Sequence, residues 1–288
     1  MLTILISEFH KLYKKDGLTE KIIQKFQEII YDYYDHSGRE FPFRKKITPY
    51  YVLVSEIMLQ QTQTSRVSQK FLEFIEKFPD FETLANAPLE NILKVWKGLG
   101  YNRRAKALKK IANTILNEYE GKLPDSVEKL KKLPQIGHNT ASSILAFAFN
   151  KPTYFIETNI RRVYIYYFFP GRDDVDDKEI MILLKKTSDS KNPRKWYYAL
   201  MDYGVMLKKT HPELNKRSRH YRKQKTFKGS TRQLRGKILG ILLKNSTLKE
   251  DQLINSLNFS PQKIKKIVKQ LEKEGFLNVK EKEISIAN

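Results

Sequence analysis

The chain has 288 residues, and its 54 Lys and Arg against 32 Asp and Glu give a formal net charge of +22 at pH 7. This excess indicates a polyanionic partner, nucleic acid before an anionic membrane surface, and no apolar run approaches the roughly 18 residues that span a bilayer. The chain has no cysteine, which excludes disulfides, thiolate nucleophiles and thiolate-held metal clusters and fits a cytosolic compartment.

Helical periodicity dominates most of the chain. In residues 1–15 the basic side chains follow the apolar ones and Glu8 lies between them, which predicts a helix of the mature protein and not a secretory signal. Apolar side chains at helical spacing predict further helices, and short Gly or Pro breaks separate them. These predicted helices cover residues 20–36, 65–78, 89–96, 104–119 and 178–188. The fold class is therefore expected to be mostly α.

A carboxylate interrupts an apolar run in "VSEIMLQQTQ", residues 54–63. The lack of Gly and Pro predicts a helix through this stretch, which places Glu56 beside side chains that would normally face a core. Taken alone, Glu56 would be interpreted as an exposed helical carboxylate. A functional role requires partners elsewhere in the fold.

A second motif, "LPQIGHNTA" at residues 133–141, predicts two helices joined by a short turn. Pro134 is expected to end the segment before the turn, and Gly137 is expected to adopt a conformation that other residues resist. The second helix is expected to begin near Asn139. Such a hairpin directs the backbone N–H groups of a helix start outward, where they hold a phosphate, although many hairpins need Pro and Gly only for packing. The candidate DNA contacts of this motif are Gln135, Gly137, His138, Asn139 and Thr140.

The stretch "ETNIRRV", residues 157–163, predicts the start of another helix. Glu157, Asn159 and Arg161 are its candidate functional side chains. The alternative interpretation is ordinary helix capping by Thr158 together with an acidic first turn.

The C-terminal part begins with a densely basic segment, residues 208–228, interpreted as a surface connector that is either a solvated linker or a phosphate-binding segment. Three amphipathic helices at 230–245, 247–258 and 260–275, then two short strands in 276–287, predict a winged helix. Its third helix would offer Lys263 and Lys266 to the major groove, and a protein-contact module is the alternative. The predicted domains are 1–207, the connector 208–228, and 229–288.

Several motifs together carry a resemblance to a known family. They are "FPFR" (41–44), "VSEIMLQQTQ", "WKGLGYNRRAKAL" (96–108), "LPQIGHNTA" and "ETNIRRV". In order and spacing they resemble the helix-hairpin-helix base-excision DNA glycosylases, and most closely the MutY-type adenine DNA glycosylases. The resemblance implies a two-lobed glycosylase fold before the winged-helix-like module. It also implies double-stranded DNA with a mismatched or damaged base as the partner.

The resemblance implies roles for two carboxylates. Breaking an N-glycosidic bond needs an acid that protonates the leaving base and an anion that stabilises the cationic sugar. The family's acid corresponds to Glu56, whose partly apolar wall would raise its pKa and keep a proton available. The family's second carboxylate, usually Asp, corresponds to Glu157.

The resemblance also gives the glutamines a role, because the reacting base must leave the stack before an acid reaches it. Gln61 would enter the duplex near the vacated space, with Gln60 beside it. Tyr101 would offer an aromatic surface to a neighbouring or opposing base. The alternatives are a plain surface residue for Gln61 and core packing for Tyr101.

Three departures from the family qualify this expectation. The cysteines that usually hold an iron–sulfur cluster are missing, so we expect no cofactor, and salt bridges, Pro212 and helix packing to hold residues 208–228. Glu157 is one methylene longer than Asp, which predicts weaker or retuned activity. Asn139 cannot form a Schiff base, which predicts a monofunctional enzyme. The five histidines lack ligand spacing, and we expect no metal site.

The leading hypothesis is therefore excision of adenine opposite guanine or 8-oxoguanine, by a monomer in the cytoplasm associated with the nucleoid. One alternative is removal of thymine or uracil from mismatches with guanine. Another is a non-catalytic DNA-binding protein in which the winged helix is the operative part. The opposite base stays open, because a winged helix cannot supply the β-rich domain with which adenine glycosylases often recognise 8-oxoguanine.

Overall fold

The helices predicted from apolar periodicity form at the expected places. The structure, a computed structural model, describes residues 2–223 and 226–287, with side chains from residue 6 onward. Met1 of the predicted first helix and residues 224–225 of the predicted connector lie outside the described residues. The predicted segments at 20–36, 65–78, 89–96, 104–119 and 178–188 agree with observed helices to within one residue at each end.

The mostly α fold class is confirmed. In chain order the helices are α1 (Leu2–Asp16), α2 (Glu20–Ser37), α3 (Pro42–Lys45), α4 (Pro49–Leu59), α5 (Thr64–Lys77), α6 (Phe81–Asn86), α7 (Leu89–Trp96), α8 (Arg103–Glu118), α9 (Val127–Leu130), α10 (His138–Phe149), α11 (Thr158–Phe168), α12 (Asp177–Thr187), α13 (Pro193–Thr210), α14 (Thr231–Asn245), α15 (Glu250–Asn255) and α16 (Pro261–Lys273). A 3₁₀ turn covers Leu214–Arg217, and the strands are β1 (Thr247–Lys249), β2 (Leu277–Lys280) and β3 (Glu283–Ile286).

The described residues divide into two units that interleave along the chain. The first unit comprises the chain up to Val52, Asp125–Lys132 and Ile136–Lys223, and the second comprises Leu53–Pro124, Leu133–Gln135 and the described chain after Lys223. This division differs from the predicted domains 1–207, 208–228 and 229–288, which stay a prediction.

The first unit is held by an aromatic core among α1, α2, α11 and α13. The ring of Phe26 lies with its centroid 5.0 to 6.3 Å from those of Phe9, Tyr167, Phe168 and Trp196. Edge-to-face contacts of this kind add to the burial energy of large rings. A Cβ at Gly204 of α13 would clash with the backbone carbonyl of Asn159. Helices α11 and α13 therefore approach each other closely beside Asn159.

A buried acid also fixes the first unit. Asp202 of α13 is 1% exposed, and its carboxylate accepts hydrogen bonds of 2.6 to 3.0 Å from Arg39 and Arg44. Arg44 belongs to the "FPFR" motif, and its guanidinium also lies 4.2 Å from the ring centroid of Tyr198. Paired and hydrogen-bonded charges of this kind are tolerated in a core, whereas removal of one partner is strongly destabilising.

The basic connector is tied down by ion pairs. Arg219 binds Asp174 at 2.6 Å and Asp176 at 2.8 Å, and Arg217 donates to the carbonyl of Arg172 at 2.9 Å. The expectation that salt bridges hold this segment is thereby confirmed for the described residues.

The helical part of the second unit packs α6 and α7 against α8, around the fully buried Trp96. The Trp96 indole N–H donates to the carbonyl of Gly100 at 3.0 Å, which closes the loop between α7 and α8. The loop residue Tyr101 follows at once. The packing therefore fixes the backbone from which the predicted aromatic contact projects.

The C-terminal part of the second unit is the predicted winged helix. Helices α14 and α16 pack together, and β1, β3 and β2 form an antiparallel sheet in that order. The turn residues Glu281 and Lys282 both have positive φ, as a tight hairpin requires. The helix predicted for 247–258 is wrong at its start, because residues 247–249 pair with β3 and leave only Glu250–Asn255 helical. Among the described residues, no helix is both long and apolar enough to cross a bilayer.

Candidate functional site

The glutamines of "VSEIMLQQTQ" lie outside the helix that precedes them. We expected one helix through residues 54–63, but α4 ends at Leu59 and Gln61 has a φ of 55°. A left-handed residue cannot continue a right-handed helix, which is why the prediction fails at this point. Gln60 and Gln61 therefore lie in the turn that follows the helix bearing Glu56.

Four predicted site residues line one cleft of the second unit. Gln60, Gln61, Tyr101 and Gln135 line a cavity of about 820 Å³. The Gln60 side-chain amide donates to the carbonyl of Gln135 at 3.1 Å. This bond joins the turn that carries the predicted wedge residues Gln60 and Gln61 to the turn of the hairpin. Gln61, Tyr101 and Gln135 have φ values of 55°, 48° and 62°. Non-glycine residues in this conformation cost about 1–3 kcal/mol each and concentrate at functional sites.

Arg104, which was not among the predicted site residues, holds this cleft together. Its Nη1 donates to the carbonyls of Ile57, Met58 and Gln60 at 3.0, 2.7 and 2.5 Å. Its Nη2 donates to Thr62 Oγ1 at 3.0 Å and to the carbonyls at positions 99 and 100, both at 3.1 Å. A signal was present, because Arg104 lies four positions before Leu108 on the buried face of α8.

The predicted acid, Glu56, lies on α4 with its side chain partly exposed. Its neighbours Ser55, Ile57 and Met58 are all buried. The carboxyl therefore projects from a helix whose adjoining positions face the core. The predicted rise in the pKa of Glu56 stays a prediction.

The predicted second carboxylate, Glu157, caps the helix that follows it. We considered Thr158 as the cap, but the Glu157 side chain takes that role and accepts from the N–H groups of Asn159 and Ile160 at 2.8 and 2.9 Å. The Asn159 amide donates to its other oxygen at 3.2 Å. Burial raises the pKa of Glu157, while these N–H groups and the charges of Arg162 and Arg161 oppose the rise.

A buried arginine that was not among the predicted site residues positions the side chain of Asn159. Arg162 is 2% exposed, and its Nη1 donates to Asn159 Oδ1 at 2.8 Å and to the carbonyl of Gly204 at 2.5 Å. Asn159 is thus fixed on one side by Arg162 and binds Glu157 on the other. The chain of contacts sets the orientation of the Glu157 carboxylate.

The predicted DNA contacts Asn159 and Arg161 both make contacts within the protein. The Arg161 guanidinium donates two hydrogen bonds of 2.7 Å to the carboxylate of Asp177. This bidentate pair orients Arg161 toward α12. Its contact with DNA stays a prediction.

The hairpin has the predicted helices, but its unusual backbone residue is Gln135. Gly137 has a φ of −86°, an ordinary value, and a Cβ there would meet no atom within 4 Å. The expectation that only glycine fits position 137 is therefore wrong. Helix α10 begins at His138, as expected, and Gly137 has no side chain that could cap it. His138 contacts the carbonyl of Tyr154 at 3.2 Å through Nε2.

Asn139 and Thr140 stand in the first turn of α10. The Asn139 amide donates to the carbonyl of Ile156 at 2.8 Å, directly before Glu157 in the chain. The side chain of Asn139 therefore joins the hairpin to the segment that carries Glu157. The predicted phosphate contacts of the hairpin stay predictions.

The two lysines predicted to enter the major groove differ in their surroundings. The Lys263 ammonium donates to the carbonyl of Gly229 at 2.9 Å and lies 5.1 Å from the ring centroid of Phe259. Lys266 is exposed on α16. Of these two lysines, Lys266 is therefore the one whose charge is largely solvated.

Neither a metal cluster nor a cluster of cysteine ligands can be assigned to the part of the chain that the structure describes. No group of three or more His, Asp or Glu side chains in the described ranges could hold a metal ion. The sequence has no cysteine, so its residues do not fit the iron–sulfur cluster of the family it resembles.

Comparison with known proteins identifies two modules. Residues 54–189 match the HhH-GPD superfamily base excision DNA repair protein, and residues 231–278 match the winged helix-turn-helix DNA-binding module. An adenine DNA glycosylase of Buchnera aphidicola subsp. Baizongia pistaciae is 39% identical over 196 residues, which cover 66% of this chain and 55% of that protein. One from Mycolicibacterium smegmatis is 40% identical over 132 residues, which cover 46% of this chain and 45% of that protein.

A solved structure is similar as well. The structure of a thermostable thymine-DNA glycosylase is 26% identical, has a TM-score of 0.57, and matches 64% of this chain and 86% of its own. The chain spans about half the length of the curated relatives that it matches first. Residues 54–189, just under half of the chain, are thus similar to the HhH-GPD superfamily of base excision DNA repair proteins.

Proposed function

We propose that the protein is a monofunctional DNA glycosylase that hydrolyses the N-glycosidic bond of adenine mispaired with guanine or 8-oxoguanine. The observation that carries the proposal is the cleft in which Gln60, Gln61, Tyr101 and Gln135 come together, directly after the helix that bears Glu56. The similarity to adenine DNA glycosylases supports adenine as the base that is removed.

In the proposed reaction, Glu56 gives its proton to the departing adenine as the bond to C1′ breaks. The bonding electrons leave with the base, so a positive charge develops on the sugar. The Glu157 carboxylate stabilises that charge electrostatically. Water then adds to C1′ and returns a proton to Glu56, which restores the acid.

The residue at the start of the hairpin helix supports hydrolysis without strand cleavage. Asn139 carries an amide, which cannot attack C1′ to form a Schiff base. Its amide donates to the carbonyl of Ile156. We therefore expect an abasic site as the product and no covalent adduct with Asn139 after borohydride treatment.

A second candidate function is removal of thymine or uracil opposite guanine. The similarity to a thermostable thymine-DNA glycosylase favours it. The chemistry at C1′ would be the same, and only the recognition of the base would differ.

The deciding experiment offers the protein labelled duplexes that contain A:8-oxoG, A:G, T:G or U:G, followed by alkaline cleavage of abasic sites. Cleavage at adenine supports the proposal, and cleavage only at T:G or U:G supports the second candidate. Binding without cleavage of any duplex would leave a non-catalytic DNA-binding protein.

Substitution of the acid tests the mechanism. Glu56→Gln keeps the shape of the side chain but has no proton of suitable acidity, so excision should fall by at least about 100-fold, within the range for general acid catalysis, while duplex binding is kept. The matched control is Glu118→Gln, an exposed carboxylate at the end of α8. Equal excision by the two variants would overturn the role of Glu56.

The partner and the setting of the reaction belong to the same proposal. The net charge of +22 supports a polyanionic partner, which in this proposal is double-stranded DNA. The enzyme is proposed to act as a monomer in the cytoplasm, associated with the nucleoid. Light scattering of the protein on a duplex should give one chain per duplex. Two chains per duplex would contradict the monomer.

A further inference from the structure

The winged helix contributes one wall of the cleft that holds the predicted wedge residues. Phe227, Arg232 and Arg235 line the same cavity as Gln61 and Tyr101. Phe227 lies four residues before the start of α14, and both arginines lie on α14. DNA contact was predicted for the third helix of the module, but most of the module's share of this lining comes from α14, and α16 contributes only Gln270 among the described residues.

This wall is fixed to α8 by contacts at the end of α16. Glu274, at the end of α16, accepts from Arg103 Nε at 2.9 Å and from Arg235 Nη2 at 2.6 Å. The ammonium of Lys106 donates to the adjoining carbonyl of Gly275 at 2.6 Å. The position of α14 beside the loop between α7 and α8 is thus set by directed, charge-assisted hydrogen bonds.

Aromatic and guanidinium groups alternate along the wall. The Arg232 guanidinium lies 5.7 Å from the ring centroid of Tyr101 and 5.9 Å from that of Phe227. Its Nη1 donates to the Tyr101 hydroxyl at 2.6 Å. Tyr101 is 36% exposed and Phe227 is 59% exposed, high values for large apolar side chains. Planar groups of this kind are the surfaces on which unpaired bases stack.

The charge of the cleft is of one sign. Among the described residues that line it, arginines stand at positions 66, 103, 104, 232 and 235, and no Asp or Glu occurs. Arg104 is engaged with backbone carbonyls, and Arg103 and Arg235 share the carboxylate of Glu274, which does not itself line the cavity. A cavity of about 820 Å³ is of the size that holds one small ligand, far less than a duplex. The chemistry fits one base with its phosphate.

We infer that this cleft binds a single unpaired deoxynucleotide of the DNA strand, stacked against Phe227, Arg232 and Tyr101. The inference rests on the proposed function only in that DNA is the ligand. The winged helix is then part of the lesion-binding site, and it supplies the contacts to an unpaired base beside Gln61.

The test compares two duplexes of the same sequence, one fully paired and one with a normal nucleotide opposite a tetrahydrofuran abasic analogue. Neither duplex requires catalysis. Fluorescence anisotropy gives the ratio of their dissociation constants for the full chain. Phe227→Ala and Arg232→Ala should each reduce the preference for the unpaired nucleotide about tenfold, as expected on loss of a stacking partner.

Two further variants separate stacking from charge. Arg232→Lys keeps the charge but loses the planar group, so it should reduce the preference nearly as much as Arg232→Ala. Lys244→Ala removes a charge from the far end of α14, outside the cleft, and should leave the ratio unchanged. Free deoxyguanosine monophosphate should displace the duplex with the unpaired nucleotide only weakly. Displacement as strong as that by an unlabelled copy of this duplex would mean that the cleft is a site for free mononucleotides and not for a nucleotide of the DNA strand.

Two outcomes would overturn the inference. One is an unchanged ratio in both Phe227→Ala and Arg232→Ala, and the other is an equal loss of affinity for the two duplexes, which indicates general phosphate contact. Failure of the proposed function is distinguishable, because it would abolish excision in the four-duplex assay while the binding ratio and its dependence on Phe227 persist.

Discussion

Arg104 donates a hydrogen bond of 2.5 Å to the backbone carbonyl of Gln60, and so connects the core of the second unit to the turn that carries the predicted wedge. The guanidinium is 3% exposed, and burial lowers its pKa to about 10. It stays protonated at neutral pH, because its pKa remains well above 7. Its charge is neutralised by oriented carbonyl dipoles and not by an acid.

Replacement of Arg104 by Lys should therefore disturb both stability and function. A lysine ammonium has three N–H donors on one atom and cannot serve the acceptors that Nη1 and Nη2 of Arg104 contact together. Buried acceptors without donors cost about 1–3 kcal/mol each. We expect a loss of at least about 2 kcal/mol in the free energy of unfolding, measured by urea denaturation, together with slower single-turnover excision. Arg103→Lys, on a side chain that is 63% exposed, is the control and should cost less than about 1 kcal/mol. A difference below the error of the two curves would refute the clamp.

The helices of this protein could be predicted from sequence because apolar periodicity and capping residues are local signals. The turns at the site could not. Gln61 and Gln135 adopt left-handed conformations without the glycine that usually marks them, since Arg104 and the Gln60 amide hold these turns from outside. The conformational role was expected at Gly137 because glycine is the usual signal.

The candidate residues were predicted better than the contacts that hold them. The resemblance gave Gln60, Gln61 and Tyr101 roles beside the displaced base, and Gln135 was a candidate DNA contact of the hairpin. The structure brings all four to one cleft. The contribution of the winged helix to that cleft could not be foreseen, because it depends on the ion pairs of Glu274 with residues far away in the chain. Strand β1 was missed for a similar reason, since its three residues are ordered by pairing with β3.

The raised pKa of Glu157 predicts a pH dependence of excision. If the carboxylate stabilises the cationic sugar, activity should fall as pH falls through that pKa, at a higher pH than for an ordinary glutamate near 4.5. Glu157→Gln should lose about 100-fold or more in single-turnover rate, as when one electrostatic stabiliser is removed. The pH profile of the wild-type single-turnover rate checks the expected fall in activity. A rate that is flat down to pH 4 would contradict the anionic role.

The same shift has a consequence for folding with the opposite sign. An acid whose pKa is higher in the folded protein stabilises the fold in its protonated form, so this contribution decreases as pH rises from near 4.5 through the raised value. Glu157→Gln should remove that decrease in the free energy of unfolding. Asp177→Asn, which leaves the Glu157 cap in place, is the control that should retain it.

Glu274 predicts the reverse dependence. The hydrogen bond from Arg103, with the help of Arg235, lowers the pKa of Glu274 to about 2. Its contribution to stability is therefore present above the ordinary pKa near 4.5 and is lost as pH falls toward about 2. Glu274→Gln should cost about 1 kcal/mol at pH 7, because the pair is partly exposed and screened by solvent. The loss should vanish at low pH.

Proteolysis provides the second readout for Glu274. Release of the winged helix from α8 should make the chain between α13 and α14 more sensitive to trypsin at pH 7. Glu272→Gln removes an exposed carboxylate two residues earlier, and it should match the wild type in both assays. Identical digestion of the Glu274 and Glu272 variants would show that the carboxylate does not hold the module in place.

The salt dependence of DNA binding distinguishes the two lysines of α16. Each phosphate contact by a lysine releases counterions, so the slope of log K against log salt changes by about one for each contact that is lost. Lys266 is exposed, whereas Lys263 is held by the carbonyl of Gly229 and the ring of Phe259. If α16 follows a groove, Lys266→Ala should reduce the slope by about one, and Lys263→Ala should reduce it less. The exposed Lys21 of α2 provides the control Lys21→Ala. Equal slopes for Lys266→Ala and the wild type would mean that α16 makes no phosphate contact through this residue, and that the module acts through α14 instead.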